Sequence, residues 1–318
     1  MADSNHSMDV SGTSQRLRVI EHRDSTVSPD LSQPLKRDDV VLVRDLMQER
    51  ADQILSETSA RFGLSESLEI QAGFAESLGH RRKIGRYFMT VNSRKDYQFI
   101  PPHSEGSSFS RLQLAAFYCH ENSTDGGETI LLNVDPLFEG WALLRERTTR
   151  GRVTARPLSK SEIIRAKGLH RLNLPDDLLK DDDRVLQEDP TSIPGLNVVD
   201  VLAPPKKTRS IILERDLHTY WDSVASVDFD CSRQFVELLQ GSRLLKMPSG
   251  DCDLSQLDTS HQRRIIHSGV SFANLFKCTL TLKLTAGDLI IFNNMTWAHS
   301  TSNWSPGSGL RSVVAAFA

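Results

Sequence analysis

The sequence predicts a mainly β fold with flanking helices, an α+β chain built on a β-sandwich or jelly roll. Short runs of β-branched and aromatic residues, separated by Ser, Asn, Asp and Gly clusters, fill residues 83–134. Strand-like runs return in TRSIILERD, TLKLTAGDLIIFNNMTWAH and GLRSVVAAFA. The material between them does not alternate strand with helix, as a parallel sheet requires. No glycine-rich phosphate loop follows a strand, which disfavours a nucleotide-binding architecture.

Composition argues against several classes of protein. The chain has 318 residues, 38% of them hydrophobic, which suffices for one large domain or two modest ones. Its formal net charge of -3 gives no strong field, so neither a nucleic-acid nor a membrane partner is expected. The four cysteines are too scattered for a disulfide framework, and we expect reduced, mostly buried thiols. The N-terminus does not resemble a signal peptide and no apolar run is long enough for a membrane span, so a cytoplasmic protein is expected.

The order of segments predicts an arm, one domain and an insertion. Residues 1–37 are rich in Ser, Asp and Pro, which predicts a flexible arm. Residues 38–318 are expected to form a single domain that begins with a strand and a helix in DDVVLVRDLMQERADQILSETSARFG. Residues 135 to about 200 look charged and loop-rich, typical of an insertion or lid, with a helix near 137–146 and a solvated KDDD run. A further helix is expected at CSRQFVELLQG.

The segment IPPHSEG carries the strongest local signal of chemistry. His103 and Glu105 stand two residues apart at the end of an apolar strand, so the two-residue period of a strand puts both on one face. An imidazole and a carboxylate side by side form two corners of a metal site, and a second imidazole would complete a facial triad with open coordination positions. A lone H-x-E is a common accident, so the pair needs a third ligand.

A third ligand is available in GDLIIFNNMTWAHSTSNW, where an apolar strand leads to His299. Arg311 follows twelve residues later in what looks like the next strand of a hairpin, where it could sit beside His299 across the ladder. A buried arginine needs an anion because an unpaired buried charge is costly. A dicarboxylate is a natural bidentate partner for it.

Together with DGGETILLN, these motifs make the sequence resemble the iron(II)/2-oxoglutarate dioxygenases of the taurine dioxygenase and clavaminate synthase type. The resemblance implies a double-stranded β-helix (jelly-roll) core, Fe(II) held by His103, Glu105 and His299, and 2-oxoglutarate and O₂ as cosubstrates. It also implies that Thr129 and Arg311 bind the distal carboxylate of 2-oxoglutarate. The expected reaction is oxidation of an unactivated C–H bond of a small molecule, hydroxylation by default. Desaturation, epoxidation or ring closure would use the same ligands.

Departures from the family pattern narrow the substrate. Glu105 stands where many members have Asp, which favours relatives that act on amino acids and natural products. The presence of a carboxylate disfavours halogenation, because the family's halogenases have a small residue there. Taurine dioxygenase has a further arginine shortly after its late arginine, whereas this chain continues Ser312-Val313-Val314-Ala315, so a sulfonate substrate is not expected.

Residues facing the substrate can be suggested from position alone, and we name Gln98, Phe109 and Trp297, although the aromatic pair also fits the core. His80, Arg81, Arg82, Lys83 and Arg86 form a basic cluster, which is either a solvated face or a site for an anionic substrate or a carrier protein holding one. His120, His261 and His267 are expected to be structural or exposed. Two other classes stay open: a jelly roll that binds zinc or a ligand without redox chemistry, and a purely structural one.

Overall fold

The structure is a computed structural model that describes residues 18–21, 28–77, 81–91, 97–98, 100–106, 111–205, 207–219, 230–248 and 271–318. Its α-helices are α1 (Ser32–Lys36), α2 (Gln48–Arg61), α3 (Ser65–Ser77), α4 (Lys160–His170) and α5 (Asp230–Gly241). Its strands are β1 (Arg18–Glu21), β2 (Val41–Arg44), β3 (Lys83–Ile84), β4 (Phe88–Thr90), β5 (Ile100–His103), β6 (Leu114–Asn122), β7 (Thr129–Val134), β8 (Glu146–Val153), β9 (Arg184–Pro190), β10 (Leu196–Ala203), β11 (Thr208–Ser210), β12 (Arg215–Leu217), β13 (Phe276–Leu282), β14 (Leu289–Asn293), β15 (Trp297–Thr301) and β16 (Arg311–Phe317).

The larger of the two main sheets has seven strands in the order β1-β2-β14-β6-β16-β4-β3. Strands β1 and β2 are parallel, and the other neighbouring pairs are antiparallel. Strand β6 reads as a continuous apolar run because both of its faces are buried. Phe117 belongs to the apolar cluster between the main sheets, whereas Tyr118 belongs to the cluster beneath helices α1 to α3. The larger sheet is therefore covered on both sides.

The smaller sheet has four antiparallel strands in the order β13-β7-β15-β5. Leu131, Leu280 and Trp297 on its inner face share one apolar cluster with Phe117 and Phe292 of the larger sheet. Full burial of such a side chain stabilises a fold by about 1.5–3 kcal/mol, so this cluster is what holds the sheets face to face. The outer face of the smaller sheet is covered by α5, as predicted for CSRQFVELLQG. The expectation of a mainly antiparallel β fold with flanking helices is confirmed.

The arm predicted for residues 1–37 is wrong over 28–37. Leu31 and Leu35 are 0% exposed and belong to the cluster between the helices and the larger sheet. Strand β1 also pairs with β2. Two leucines among polar residues give no periodic pattern, and their burial depends on packing that composition does not reveal. Residues 1–17 and 22–27 lie outside the described residues.

The region 135–200 is not loop-rich as expected. Strands β8, β10 and β9 form a sheet of their own, and α4 begins with a capping box between Ser159 and Glu162. The helix expected near 137–146 is only a 3-10 turn, Glu139–Ala142, after which β8 begins. Strand β9 is exposed along most of its length, so its sequence lacks the apolar alternation that signals a strand.

The KDDD run is not wholly solvated. The side chain of Asp183 is 0% exposed, and its Oδ2 lies 3.1 Å from Nε of Arg150, itself 2% exposed. In the rest of the expected pattern, β2 and α2 lie where a strand and a helix were predicted. None of the helices in the described ranges is long and apolar enough to cross a bilayer.

Candidate functional site

The smaller sheet brings His103 and His299 together. His103 ends β5 and is directly opposite His299 in the antiparallel pairing with β15, and their ring centroids are 4.3 Å apart. Glu105 follows the strand, with Oε1 3.7 Å from Nε2 of His103 and 3.9 Å from Nε2 of His299. One ligand atom from each residue lies within 4.8 Å of the others, as a single metal ion requires. The three residues selected from the sequence converge.

The electrostatics of this trio favour metal-binding protonation states. Burial, and secondarily the positive charge of His103, lowers the pKa of His299 to about 3, although Glu105 opposes this. Burial alone would raise the pKa of Glu105, but the hydrogen bond with His103 and the charges of His103, His299 and Arg81 lower it to about 2. At neutral pH the trio therefore presents a neutral imidazole in His299 and an ionised carboxylate in Glu105, the forms that coordinate metals.

The donor set fits iron(II). Two imidazoles and one carboxylate on one side of a cavity match the ligands of non-haem iron sites with open positions. His299 is 5% exposed and its Nδ1 has no hydrogen-bond partner among the described residues. Its ring packs against Phe117, with centroids 5.0 Å apart. Nε2 of His299, which faces Glu105, is the nitrogen that would coordinate the metal.

Asn294 holds Glu105 in place and was not singled out from the sequence. Its Oδ1 accepts a hydrogen bond from the backbone N–H of Glu105 at 2.9 Å, and its Nδ2 donates to the carbonyl oxygens of Glu105 and Leu112, each at 2.9 Å. Asn294 is 0% exposed, so these bonds form away from water. The signal was the second asparagine of GDLIIFNN, a polar residue directly after a buried strand.

The other end of the same cavity contains Arg311, Thr129 and Thr301. Arg311 donates from Nε to the carbonyl oxygen of Gly127 at 3.2 Å, and its Nη2 lies 3.5 Å from Oγ1 of Thr301. Burial lowers the pKa of Arg311 to about 10, a shift that Cys119 and Glu128 oppose, so the guanidinium is still charged at neutral pH. Within the described ranges no carboxylate forms an ion pair with it. A buried cation of this kind favours the approach of an anion, because pairing offsets the cost of burying the charge.

The expected hairpin between His299 and Arg311 is wrong. Strand β15 belongs to the smaller sheet and pairs with β5 and β7, whereas β16 belongs to the larger sheet and pairs with β4 and β6. Arg311 therefore enters the cavity from the facing sheet, not from a neighbouring position in the same ladder. Thr129 does lie in the ladder, opposite Thr301. The sequence distance between strands does not reveal which sheet each one joins.

The Gly126-Gly127 turn allows the close approach that positions Arg311. Gly127 has a φ of +72°, and a Cβ there would meet Cδ of Arg311 at 2.9 Å. At Gly126 a Cβ would collide with the backbone oxygen of Asn303. Lys283 secures the turn, since Nζ donates to the carbonyl oxygens of Thr124, at 2.7 Å, and Gly126. Sequence reasoning missed Lys283 and Asn303, which no local motif marks.

The three suggested substrate residues have different outcomes. Trp297 is 1% exposed in the core, where its Nε1 donates to the carbonyl oxygen of Asp38, and it does not line the cavity. This supports the core alternative for it. Gln98 is half-buried and also does not line the cavity, and Phe109 lies outside the described residues.

The residues of the basic cluster lie in different surroundings in the structure. Arg81 lines the cavity, with Nη2 3.8 Å from Oε1 of Glu105. Arg86 instead forms an ion pair with Glu69 at 3.0 Å, and Arg82 and Lys83 are exposed. His80 lies outside the described residues, as do His261 and His267, whereas the ring of His120 packs against Tyr118.

Comparison with known proteins gave structural neighbours only. The sequence matches no family model and no curated protein. PvcB from Pseudomonas aeruginosa is 13% identical, with 98% of this chain and 95% of that chain covered and a TM-score of 0.38. A taurine dioxygenase from Burkholderia xenovorans is 12% identical, with 92% and 81% covered and a TM-score of 0.34. The non-heme iron oxygenase OrfP, in complex with Fe and α-ketoglutaric acid, is 13% identical, with 91% and 77% covered and a TM-score of 0.37. With TM-scores below 0.5, neither fold nor function is inferred from these likenesses.

Proposed function

We propose that this protein is an iron(II)- and 2-oxoglutarate-dependent oxygenase that oxidises an unactivated C–H bond of a small molecule. The observation that carries the proposal is one cavity with two chemically different ends. At one end stand two imidazoles and a carboxylate with ligand atoms within 4.8 Å, and at the other a buried arginine with two threonines. The first end suits a metal ion and the second suits the carboxylate of a cosubstrate.

His103, Glu105 and His299 would hold Fe(II) and leave three coordination positions open. Iron(II) bound there supplies the activation of O₂ that couples decarboxylation of 2-oxoglutarate to oxidation of the substrate. The protein's part is positioning and exclusion of water. Asn294 keeps the Glu105 backbone in place through its three hydrogen bonds, and the ring of Phe117 packs against the buried His299.

Arg311 and Thr129 would bind the distal carboxylate of 2-oxoglutarate. The guanidinium presents a planar pair of donors that matches a carboxylate, and the buried hydroxyl of Thr129 lies beside the same part of the cavity. The Gly127 carbonyl accepts from Nε of Arg311, which orients the guanidinium before the ligand arrives. Pre-ordering of this kind lowers the entropy cost of binding.

We propose an amino-acid-derived or other natural-product scaffold as the substrate, with hydroxylation as the default outcome. Desaturation, epoxidation and ring closure would need the same residues and are distinguished by product analysis. We also infer that the facing sheets are the two halves of a double-stranded β-helix. The sheet of β8, β9 and β10 with α4 would be an insertion in the single domain that follows residue 28.

The test is a pair of measurements on the purified protein. Anaerobic addition of Fe(II) and 2-oxoglutarate should give a weak visible charge-transfer band, and air should then give succinate. His299→Ala should lose both signals, whereas His120→Ala, which changes a histidine packed against Tyr118 outside the cavity, should keep them. A protein that binds zinc or a ligand without redox chemistry would give neither signal in its unaltered form, and that result would refute the proposal.

A further inference from the structure

The guanidinium of Arg81 reaches the metal end of the cavity from outside the strands that carry the proposed ligands. Its side chain is 26% exposed, and Nη2 lies 3.8 Å from Oε1 of Glu105. Nη1 lies 3.5 Å from the sulfur of Met89, a weak acceptor. Among the described residues Glu105 is the sole carboxylate that forms an ion pair with Arg81. Within the described part of the chain, Arg81 therefore has no carboxylate at hydrogen-bond distance.

Glu105 cannot fully serve as that acceptor. A charge-assisted N–H···O bond is about 2.7–2.9 Å long, so a separation of 3.8 Å is an electrostatic contact and not a hydrogen bond. The same oxygen, Oε1, is the one that faces both imidazoles, at 3.7 and 3.9 Å. Because this oxygen is the natural metal ligand, the donors of Arg81 stay available to another anion.

The charges around the cavity indicate what kind of anion would bind beside Arg81. Apart from the two histidines, the charged side chains that line the cavity, among the residues the structure describes, are Arg81, Arg311 and Glu105. In the proposed complex, the two positive charges of Fe(II) and the one of Arg311 equal the two negative charges of 2-oxoglutarate and the one of Glu105. Arg81 then leaves a single positive charge in excess. An unbalanced charge in a partly buried site costs free energy, so a ligand with one negative charge is favoured.

We infer that Arg81 binds a carboxylate of the substrate, which makes the substrate class a small carboxylic acid. This inference rests on the proposed function and assigns the substrate side of the same site. A carboxylate carries the single charge required and matches the fork of a guanidinium, whereas a doubly charged phosphate would overcompensate it. The contact with Glu105 at 3.8 Å places the guanidinium of Arg81 at the metal end of the cavity.

The experiment uses matched acid and amide probes. The protein is loaded with zinc and 2-oxoglutarate, and ligand-observed NMR measures binding of N-acetyl L-amino acids with uncharged side chains, which carry one negative charge, and of the corresponding uncharged carboxamides. We expect acids to bind and their amides not to bind. Arg81→Gln should weaken the best acid about tenfold or more, and Arg81→Lys should recover part of the affinity because it keeps the charge but not the fork. Arg82→Gln, which changes the exposed neighbouring residue, is the control.

The affinity for 2-oxoglutarate, measured on each variant, distinguishes a failure of the proposed function from a failure of the role assigned to Arg81. If the unaltered protein does not bind 2-oxoglutarate, the proposed function fails. If it binds 2-oxoglutarate but acids and amides bind equally, or no acid binds, the assignment of Arg81 alone is overturned. It is also overturned if Arg81→Gln weakens 2-oxoglutarate and leaves the acids unchanged, since Arg81 would then be a cosubstrate residue. Thermal unfolding verifies that Arg81→Gln and Arg81→Lys are folded.

Discussion

His103 and His299 are direct partners in the pairing of β5 with β15, although they come from distant parts of the chain. The geometry of the proposed metal site is thus set by backbone hydrogen bonds between strands. Glu105 lies just beyond the strand, where Asn294 fixes its backbone. A site supported by a ladder and a buried amide is pre-organised, so loss of a single ligand should affect the metal without unfolding the sheet.

Removal of the Glu105 carboxylate should abolish turnover. We expect Glu105→Ala to lose iron binding and succinate formation, because two imidazoles without an anion neither complete the facial triad nor offset the charge of the metal. Glu105→Asp should retain part of the activity, since the shorter acid can still coordinate. Metal content by atomic emission and succinate by NMR measure both effects. Full activity in Glu105→Ala would show that Glu105 is not a ligand.

Truncation of Arg311 should weaken the binding of 2-oxoglutarate and leave the binding of iron unchanged. Losing one partner of a charge-assisted bidentate contact costs about 2–5 kcal/mol, so Arg311→Ala should raise the Kd of 2-oxoglutarate about 30-fold or more. Arg311→Lys should restore only part of this loss because a point charge cannot replace the fork. Anaerobic titration into the iron complex gives the Kd. An unchanged Kd in Arg311→Ala would mean that another residue holds the cosubstrate.

The motifs in the sequence picked out three residues that the structure brings together, but not the residues that surround them. His103 and Glu105 follow an apolar strand, and Thr129 begins one, so the period of the strand already placed their side chains. The sheet that the strand of Arg311 joins depends on which strands pair. That choice is decided by packing across the whole core. Asn294 and Lys283 act through hydrogen bonds to backbone atoms far away in the sequence. Such contacts have no local pattern.

The two largest errors in the fold have a common cause. Strand β9 lacks alternation because it is largely exposed, and residues 28–37 bury few large apolar side chains, among them Leu31 and Leu35. In both places a few contacts with the rest of the protein decide the structure, while composition suggests a loop. By contrast, α2 and β6 have many apolar residues and were predicted in the right places.

Asp38 should make the metal-free protein lose stability as the pH rises. Burial raises the pKa of Asp38 to about 6, although Thr296 and Asn133 donate hydrogen bonds to its carboxylate and Arg215 and Lys277 lie nearby. Between its ordinary pKa of 3.8 and about 6, the folded state holds more protons on this group than the unfolded state does. By linkage, its contribution to the free energy of unfolding is present at low pH and is lost as the pH rises through that window.

Urea denaturation of unaltered protein and Asp38→Asn at several pH values from 4 to 7 tests this. The amide cannot titrate, so the difference in the free energy of unfolding between the two proteins should shift in favour of Asp38→Asn as the pH increases. Other groups titrate in the same range, but they are common to both proteins and cancel in the difference. A difference independent of pH would contradict the raised pKa.

Lys283 does not line the cavity, but it should strengthen the binding of 2-oxoglutarate by holding Arg311 in position. Its ammonium donates to the carbonyl oxygens of Thr124 and Gly126, and the next carbonyl, that of Gly127, accepts from Nε of Arg311. Lys283→Met keeps the aliphatic length but removes these donors, so the turn should loosen and the guanidinium should lose its orientation. We expect 2-oxoglutarate to bind a few-fold more weakly, since a charge-assisted hydrogen bond is worth about 1.5–3 kcal/mol, this one is partly open to solvent, and only part of its free energy is transmitted.

The controls distinguish positioning from general destabilisation. Lys277→Met changes a lysine within β13, the strand that ends just before Lys283; Lys277 lies 3.8 Å from Asp135 and away from the turn, so this change should leave the Kd of 2-oxoglutarate unchanged. Iron content should be normal in Lys283→Met, because the turn does not touch His103, Glu105 or His299. Combining Lys283→Met with Arg311→Ala should then add little to the effect of Arg311→Ala alone, since the lysine works through the arginine. Additive losses in the double variant would show instead that Lys283 has a separate role in binding.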